Sequence, residues 1–454
     1  MRHASLIAAG IAAGFALFAP PAQARAPDSI RCQLEWQAAR DGGRPDRYRS
    51  FLRLCPGSAN AAEAKAFIAR SSPVIAPPQP QPPRIVLPPR PPRGTPPRGV
   101  TPPPVVTTPG ALSATDAWTR GSAALTKSNY GEALGYLTQA CNGGEPRGCT
   151  DLGYLYSAGL GVATDDYKAA QYFIKACDGG APHGCNNIAS FYSSGRSFGK
   201  ADPVRAVEFY QRAGTGGDAE GCYNLGEKYE NGIGVAKADL VRARQLYQQA
   251  CTGGEAKGCT DLGYMNEVGS GIAKPDLAGA AQYYQLGCTG GNGVGCVNLG
   301  NFYETGRGVA KADLVRAGQL YQQGCDGGSA RGCTNSGYFY QYGRGGRPID
   351  YARAAELHRL ACDRGSSAGC TRLGVLYQLG QGVTADAPRA AVFYQKACDA
   401  KEPYGCSNMA KLYETGGGVI ANRQTAIDFY RRALAIDANH QEAKDGLKRL
   451  GVKL

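Results

Sequence analysis

Cys251-Thr252-Gly253-Gly254-Glu255-Ala256-Lys257-Gly258-Cys259, followed by Thr260-Asp261-Leu262-Gly263-Tyr264, sets the reading of the whole chain. Two cysteines stand eight positions apart, with Gly-Gly soon after the first and a glycine just before the second. The spacing and the glycine before the second cysteine recur at Cys141/Cys149, Cys177/Cys185, Cys288/Cys296, Cys325/Cys333, Cys362/Cys370 and Cys398/Cys406, with Gly-Gly kept in all but the last two. The first cysteines of successive pairs lie 36 or 37 residues apart, except for one 74-residue step from Cys177 to Cys251. A fixed period of this size marks a stack of supersecondary units, none of which can bury its apolar face alone.

Each period reads as two helices. In one unit Cys222, Leu225, Gly226 and Tyr229 follow the i, i+3, i+4, i+7 spacing of an amphipathic helix. Gly232-Ile233-Gly234 then breaks it, and Asp239 is placed to cap a second helix whose buried stripe is Ala243, Leu246, Tyr247 and Ala250. Asp202, Asp276, Asp313 and Asp386 repeat the capping position. Nine such hairpins are expected between about 112 and 437, with a last helix near 440–450 carrying Lys444, Lys448 and Arg449 outward. The expected fold is all-α: an α/α superhelical solenoid of about nine hairpins occupying 111–454.

The cysteine spacing carries a geometric consequence. One cysteine ends the second helix of a hairpin and its partner begins the first helix of the next, across a short antiparallel turn. Such residues approach within the Cα separation of about 4.4–6.8 Å that a disulfide needs. Seven staples are therefore expected, plus Cys32–Cys55 in an N-terminal module. Cys222 faces Gly214 where a partner would stand, and reads as a buried free thiol, with intermolecular pairing as the alternative. Zinc is disfavoured: its pairs are commonly separated by two to four residues, and His183, His358 and His440 lie far apart in the array. No metal or other cofactor is expected.

Disulfides need an oxidising compartment, and the N-terminus supplies the means of reaching one. Met1-Arg2-His3 is a short basic start, Leu6 to Phe18 is apolar, and Ala22-Gln23-Ala24 is an A-x-A cleavage site. Residues 1–24 therefore read as a secretory signal peptide, and the mature chain as periplasmic or secreted. No later stretch approaches ~18 consecutive apolar residues, so no transmembrane segment is expected in the mature chain. The net charge of +13 is concentrated near the N-terminus. Residues 25–72 form a small helical module with nine basic and five acidic side chains, suited to an anionic envelope surface. Residues 73–110 hold 16 of the 28 prolines and form an extended linker that could hold the module on the order of 100 Å from the repeats. An exported chain is not expected to meet nucleic acid.

The unit Gly221-Cys222-Tyr223-Asn224-Leu225-Gly226…Tyr229…Gly232…Gly234-Val235…Asp239…Ala243…Tyr247…Ala250-Cys251…Gly253-Gly254 resembles the Sel1-like repeat. With its paired cysteines the chain is similar to the secreted, cysteine-rich group called the Hcp or cysteine-rich β-lactamase family. The resemblance implies a right-handed α/α superhelix with stapled hairpins and a role in binding proteins or peptides. It also implies an alternative: a protein that binds β-lactams or peptidoglycan peptides, with weak β-lactamase activity. Ser197-Phe198-Gly199-Lys200 matches the Ser-x-x-Lys of serine β-lactamases. It lies in a glycine-rich loop, without Ser-Asp-Asn or Lys-Thr-Gly, and reads as coincidence. No catalytic residue is assigned.

A binding surface is the better-supported reading. Two positions after each second cysteine, or its equivalent, stand Asp151, Asn187, Asn224, Asp261, Asn298, Asn335, Arg372 and Asn408. First helices line the concave side of such solenoids, so stacking should align these residues into a ladder. Asparagine offers both a donor and an acceptor to the backbone of an extended peptide. Three residues further on, Tyr154, Tyr264 and Tyr338 are expected on the same face. The tyrosines at 156, 192, 229, 303, 340, 377 and 413 are expected between hairpins in the core.

Overall fold

The computed structural model describes residues 112–453, together with Tyr48, Leu52 and 62–66. The expected signal peptide, most of the N-terminal module, its Cys32–Cys55 bridge and the proline-rich linker lie outside the described residues. Every regular element among the described residues is helical. The chain divides into two compact units: Val74–Asp313, and Leu314–Leu454 taken with Met1–Pro73.

In the first unit the helices run α1 (Ala114–Thr126), α2 (Tyr130–Asn142), α3 (Pro146–Ala158), α4 (Asp166–Asp178), α5 (Pro182–Ser194) and α6 (Pro203–Thr215). They continue as α7 (Ala219–Asn231), α8 (Leu240–Thr252), α9 (Ala256–Val268), α10 (Leu277–Thr289) and α11 (Gly293–Thr305). The second unit holds α12 (Leu314–Asp326), α13 (Ala330–Gln341), α14 (Tyr351–Asp363), α15 (Ser367–Leu379) and α16 (Ala387–Asp399). It closes with α17 (Pro403–Thr415), α18 (Arg423–Ile436) and α19 (Gln441–Arg449). Among the described residues from 112 on, nine helix pairs in sequence and one terminal helix match the expected count, and the architecture is a disulfide-stapled helical solenoid.

Boundaries follow local chemistry. The carboxylates of Asp202, Asp239, Asp276 and Asp386 each accept a hydrogen bond from the backbone N–H three residues on, at 2.8–3.1 Å, as expected of N-caps. Asp165 and Asp350 do the same for α4 and α14. Most first helices end on a left-handed glycine such as Gly232, φ 67°, whereas α1 and α13 end on Lys127 and Tyr342 at negative φ. At Gly234 a side chain has no room, because a Cβ would meet the Pro203 carbonyl oxygen.

At the junction between α8 and α9 the backbone of Gly254 turns through φ 94°, and Glu255 caps α9 by accepting from the Lys257 N–H at 3.1 Å. Gly258 then lies so close to α8 that a Cβ on it would stand 2.7 Å from the Ala250 methyl carbon. That close approach brings the Cα atoms of Cys251 and Cys259 to 4.5 Å, and they form a disulfide. The same bridge closes at Cys141–Cys149, Cys177–Cys185, Cys288–Cys296, Cys325–Cys333, Cys362–Cys370 and Cys398–Cys406, with Cα separations of 4.4–4.5 Å. The Ala-Cys and Gly-Cys dipeptides thus have separate tasks: the small residues admit the contact and the sulfurs lock it.

Within a hairpin, a first-helix glycine faces an aromatic ring of the second helix, as Gly263 faces Tyr284 and Gly374 faces Tyr394. The ring slides across the glycine and its phenol donates to an acid or amide four residues further along the first helix. Tyr247 donates to Glu230 at 2.7 Å, Tyr284 to Glu267 at 2.7 Å and Tyr394 to Gln378 at 2.8 Å. The buried hydroxyl is thereby satisfied at the edge of the core. Tyr156, Tyr192, Tyr377 and Tyr413 stack on Tyr172, Phe209, Phe393 and Phe429 at 5.5–5.6 Å. These contacts bind the two helices of one hairpin, where the sequence suggested packing between hairpins.

Candidate binding surface

Across a junction, first helices approach one another, α3 to α5 and α5 to α7 in the first unit and α13 to α15 and α15 to α17 in the second. The ladder residues ride on these helices, one per hairpin. Asp151, Asn187, Asn224, Asn298, Asn335, Arg372 and Asn408 are all partly exposed, whereas Asp261 is buried. Of the three tyrosines, Tyr154 is exposed, Tyr338 is partly exposed and Tyr264 is buried.

Several rungs are joined to their neighbours. The Trp118 indole N–H donates to Asp151 Oδ2 at 2.9 Å. Burial raises the Asp151 carboxyl above its ordinary value, and that hydrogen bond and the nearby Arg147 charge oppose the shift. Asn224 Nδ2 donates to Asn186 Oδ1 at 2.9 Å, and the Tyr223 hydroxyl donates to Asp261 Oδ2 at 3.2 Å. Both links run from the residue directly after one second-cysteine position to the ladder residue of the next repeat. The sequence reading overlooked Asn186 and Tyr223 because it followed one position per period. The shared separation of 38 residues, one repeat plus one, was the available signal.

In contrast, Asn187, Asn335 and Asn408 make no side-chain hydrogen bond among the described residues. In the second unit the Arg372 guanidinium lies 4.7 Å over the Tyr338 ring, and Arg344 stands 5.4 Å from the same ring. Burial pushes the neighbouring Tyr342 phenol up to about 12, with Arg372 pulling the other way. The face here is a cluster of cations on aromatic rings.

Ser197 sits in the loop between α5 and α6 with φ 71°, and its hydroxyl is buried without a hydrogen-bond partner. Lys200 is exposed, and among the described residues no hydrogen bond joins the two. Among the described residues no group of three or more His, Cys, Asp or Glu is placed to hold a metal ion, and no helix is long and apolar enough to cross a membrane. Cys222 is buried and is the one free cysteine among the described residues. It borders a cavity of about 140 Å³ lined also by Gln211, Arg242 and Gln249, in the space a staple to position 214 would take.

The Sel1 repeat model matches at 119–145, 146–180, 182–218, 219–255, 256–292, 293–329, 330–366, 367–401 and 403–435. The chain belongs to the Sel1 repeat family. These nine matches cover well over half of it, one for each helix pair. Among solved structures, a Sel1 repeat protein from Oxalobacter formigenes is 25% identical over 55% of this chain and 97% of its own, with a TM-score of 0.49. A protective antigen of uropathogenic Escherichia coli strains, with an SLR fold, is 22% identical over 74% of this chain and 87% of its own, at a TM-score of 0.40. No curated protein sequence matches the chain. As a Sel1 repeat array the protein has the architecture of an interaction scaffold.

Proposed function

We propose that this Sel1 repeat protein is an exported scaffold that holds a protein, as an extended segment, against the first-helix faces of its units. The observation that carries this reading is the unused amides of Asn187, Asn335 and Asn408. Each is partly exposed, fixed on a rigid helix and left with a donor and an acceptor that no side chain of its own unit consumes. Such amides pair with a peptide backbone in any sequence, while Tyr154 and the Arg372–Tyr338 cluster supply side-chain preference. Rungs already joined, such as Asn186–Asn224, keep the face preorganised, which lowers the entropy cost of binding. Export is supported by the A-x-A start and by seven disulfides, which persist in an oxidising compartment. No hydrolytic step is assigned, since Ser197 lacks a partner base. The test is a peptide selected by display against the wild-type chain, titrated by fluorescence polarisation. Asn187→Ala/Asn335→Ala/Asn408→Ala should weaken its binding at least about tenfold with an unchanged melting curve; equal affinity would refute the ladder.

A further inference from the structure

Eight junctions of the array turn through the same backbone position, and seven of them place a glycine there. Gly144, Gly180, Gly217, Gly254, Gly291, Gly328 and Gly365 have φ between 88° and 94°. The eighth, between α16 and α17, has Lys401 at φ 61°. A left-handed conformation disfavours any residue with a Cβ, so lysine is there against local preference. Space does not forbid it: at each of the seven glycines an added Cβ would meet nothing within 4 Å. The position is an open outward-facing corner, and a side chain placed on it is free to reach away from the array.

Lys401 reaches the N-terminal segment. Its Nζ lies 2.8 Å from Glu63 Oε1, 338 residues earlier in the chain. Ala64, beside Glu63, is fully buried, and Met1–Pro73 groups with Leu314–Leu454 as one compact unit.

We propose that the eighth junction is a docking surface for residues 62–66 of the chain's own N-terminal part, with Lys401 as the residue that selects Glu63. The ion pair is half exposed and weak by itself. The tether makes it sufficient, because a segment linked in the same chain competes at an effective concentration of order mM. An exposed pair is screened by salt, so ionic strength releases the segment. Whatever the segment carries is then presented or withheld without any change in the repeats.

The test is zero-length carbodiimide crosslinking of the mature full chain in an equal mixture of light and heavy isotopic forms, read by mass spectrometry. A Glu63–Lys401 linkage within single chains is expected, falling several-fold between low and high salt. Glu63→Lys should abolish it, and Glu63→Lys/Lys401→Glu should restore it with the roles reversed. Lys401→Gly, the residue used at the other seven junctions, should keep the fold while making the segment several-fold more sensitive to limited proteolysis. The proposal is overturned by absence of the linkage, by linkage only between light and heavy chains, or by unchanged proteolysis in Lys401→Gly. The Asn187, Asn335 and Asn408 variants should leave this linkage intact, so the two readings fail independently.

Discussion

His358 Nε2 lies 3.3 Å from Gln341 Oε1, so an imidazole holds the place that a tyrosine fills in neighbouring hairpins. It packs over Gly337 as Tyr394 packs over Gly374, is wholly buried, and has Nδ1 without a hydrogen-bond partner. Burial holds the imidazole well below its ordinary value of 6.5, and the Arg372 charge adds to the effect. Above about pH 6.5 the ring is neutral in both folded and unfolded chains. Below that pH the unfolded chain takes up a proton that the folded chain refuses, so stability falls as pH falls. His358→Tyr, with its phenol on Gln341, should reduce the loss of melting temperature between pH 7 and 5 by a few degrees or more. His440, also lowered by burial, keeps part of the slope with the same sign. Equal slopes in thermal scans of the two proteins would contradict this account.

The bridges should dominate stability. Each closes a loop of about nine residues, worth about 2–3 kcal/mol in the chain-entropy model, and each acts on one nearest-neighbour junction. Denaturant melts with and without a strong reductant should differ by several kcal/mol in total, with the reduced chain losing cooperativity. Superimposable curves would show that helix packing alone holds the array.

The missing staple should be restorable. A Cβ on Gly214 would lie 2.9 Å from Cys222 Sγ, and Gly221 meets Ala213 as closely as the equivalent residues do at stapled junctions. Gly214→Cys is expected to bridge to Cys222, occupy the cavity and add about 2–3 kcal/mol. Thiol titration after denaturation should lose the Cys222 signal. In the native wild type, burial raises the Cys222 thiol above its ordinary value, so alkylation near neutral pH should be slow until the chain unfolds.

The C-terminal end is secured by charge as well as packing. Tyr430 donates to Glu414 Oε2 at 2.6 Å, and Arg449 on α19 donates to both Glu414 oxygens at 3.0 Å. Tyr430→Phe should cost about 1–2 kcal/mol, since it removes a hydrogen bond to a charged group. Arg449→Ala should fray α19 first, seen as loss of amide protection in hydrogen exchange confined to 441–449.

The fold was legible because three signals agreed in register: cysteine spacing, glycine punctuation and capping aspartates such as Asp239. The surface was half legible. One column of the repeat picks out Asn187 and Asn408, which are partly exposed, yet the links that fix Asn224 and Asp261 run diagonally to the next repeat's neighbour. A column-by-column reading misses a diagonal. Asp261 and Tyr264 carry the right residue types for an open face but are buried, because burial depends on the bulk of adjacent repeats rather than on spacing. The lysine at 401 was legible only as a departure from the glycine of the other seven junctions, while its φ and its distant partner Glu63 needed the structure.

Every bridge in the array joins cysteines that are nearest neighbours along the chain. A polypeptide oxidised as it emerges needs no search among remote thiols; it has only to couple each new sulfur to the preceding one. Synthesis order and pairing order then coincide, and a proofreading isomerase has little to repair. That rule misleads at one place. Cys222 arrives without a mate, and a strictly sequential oxidant would tie it to Cys251, then Cys259 to Cys288 and so on down the array, leaving Cys406 unpaired. In the folded chain α7 packs on α6 and Cys222 is buried, which withdraws the odd sulfur from exchange with its neighbours.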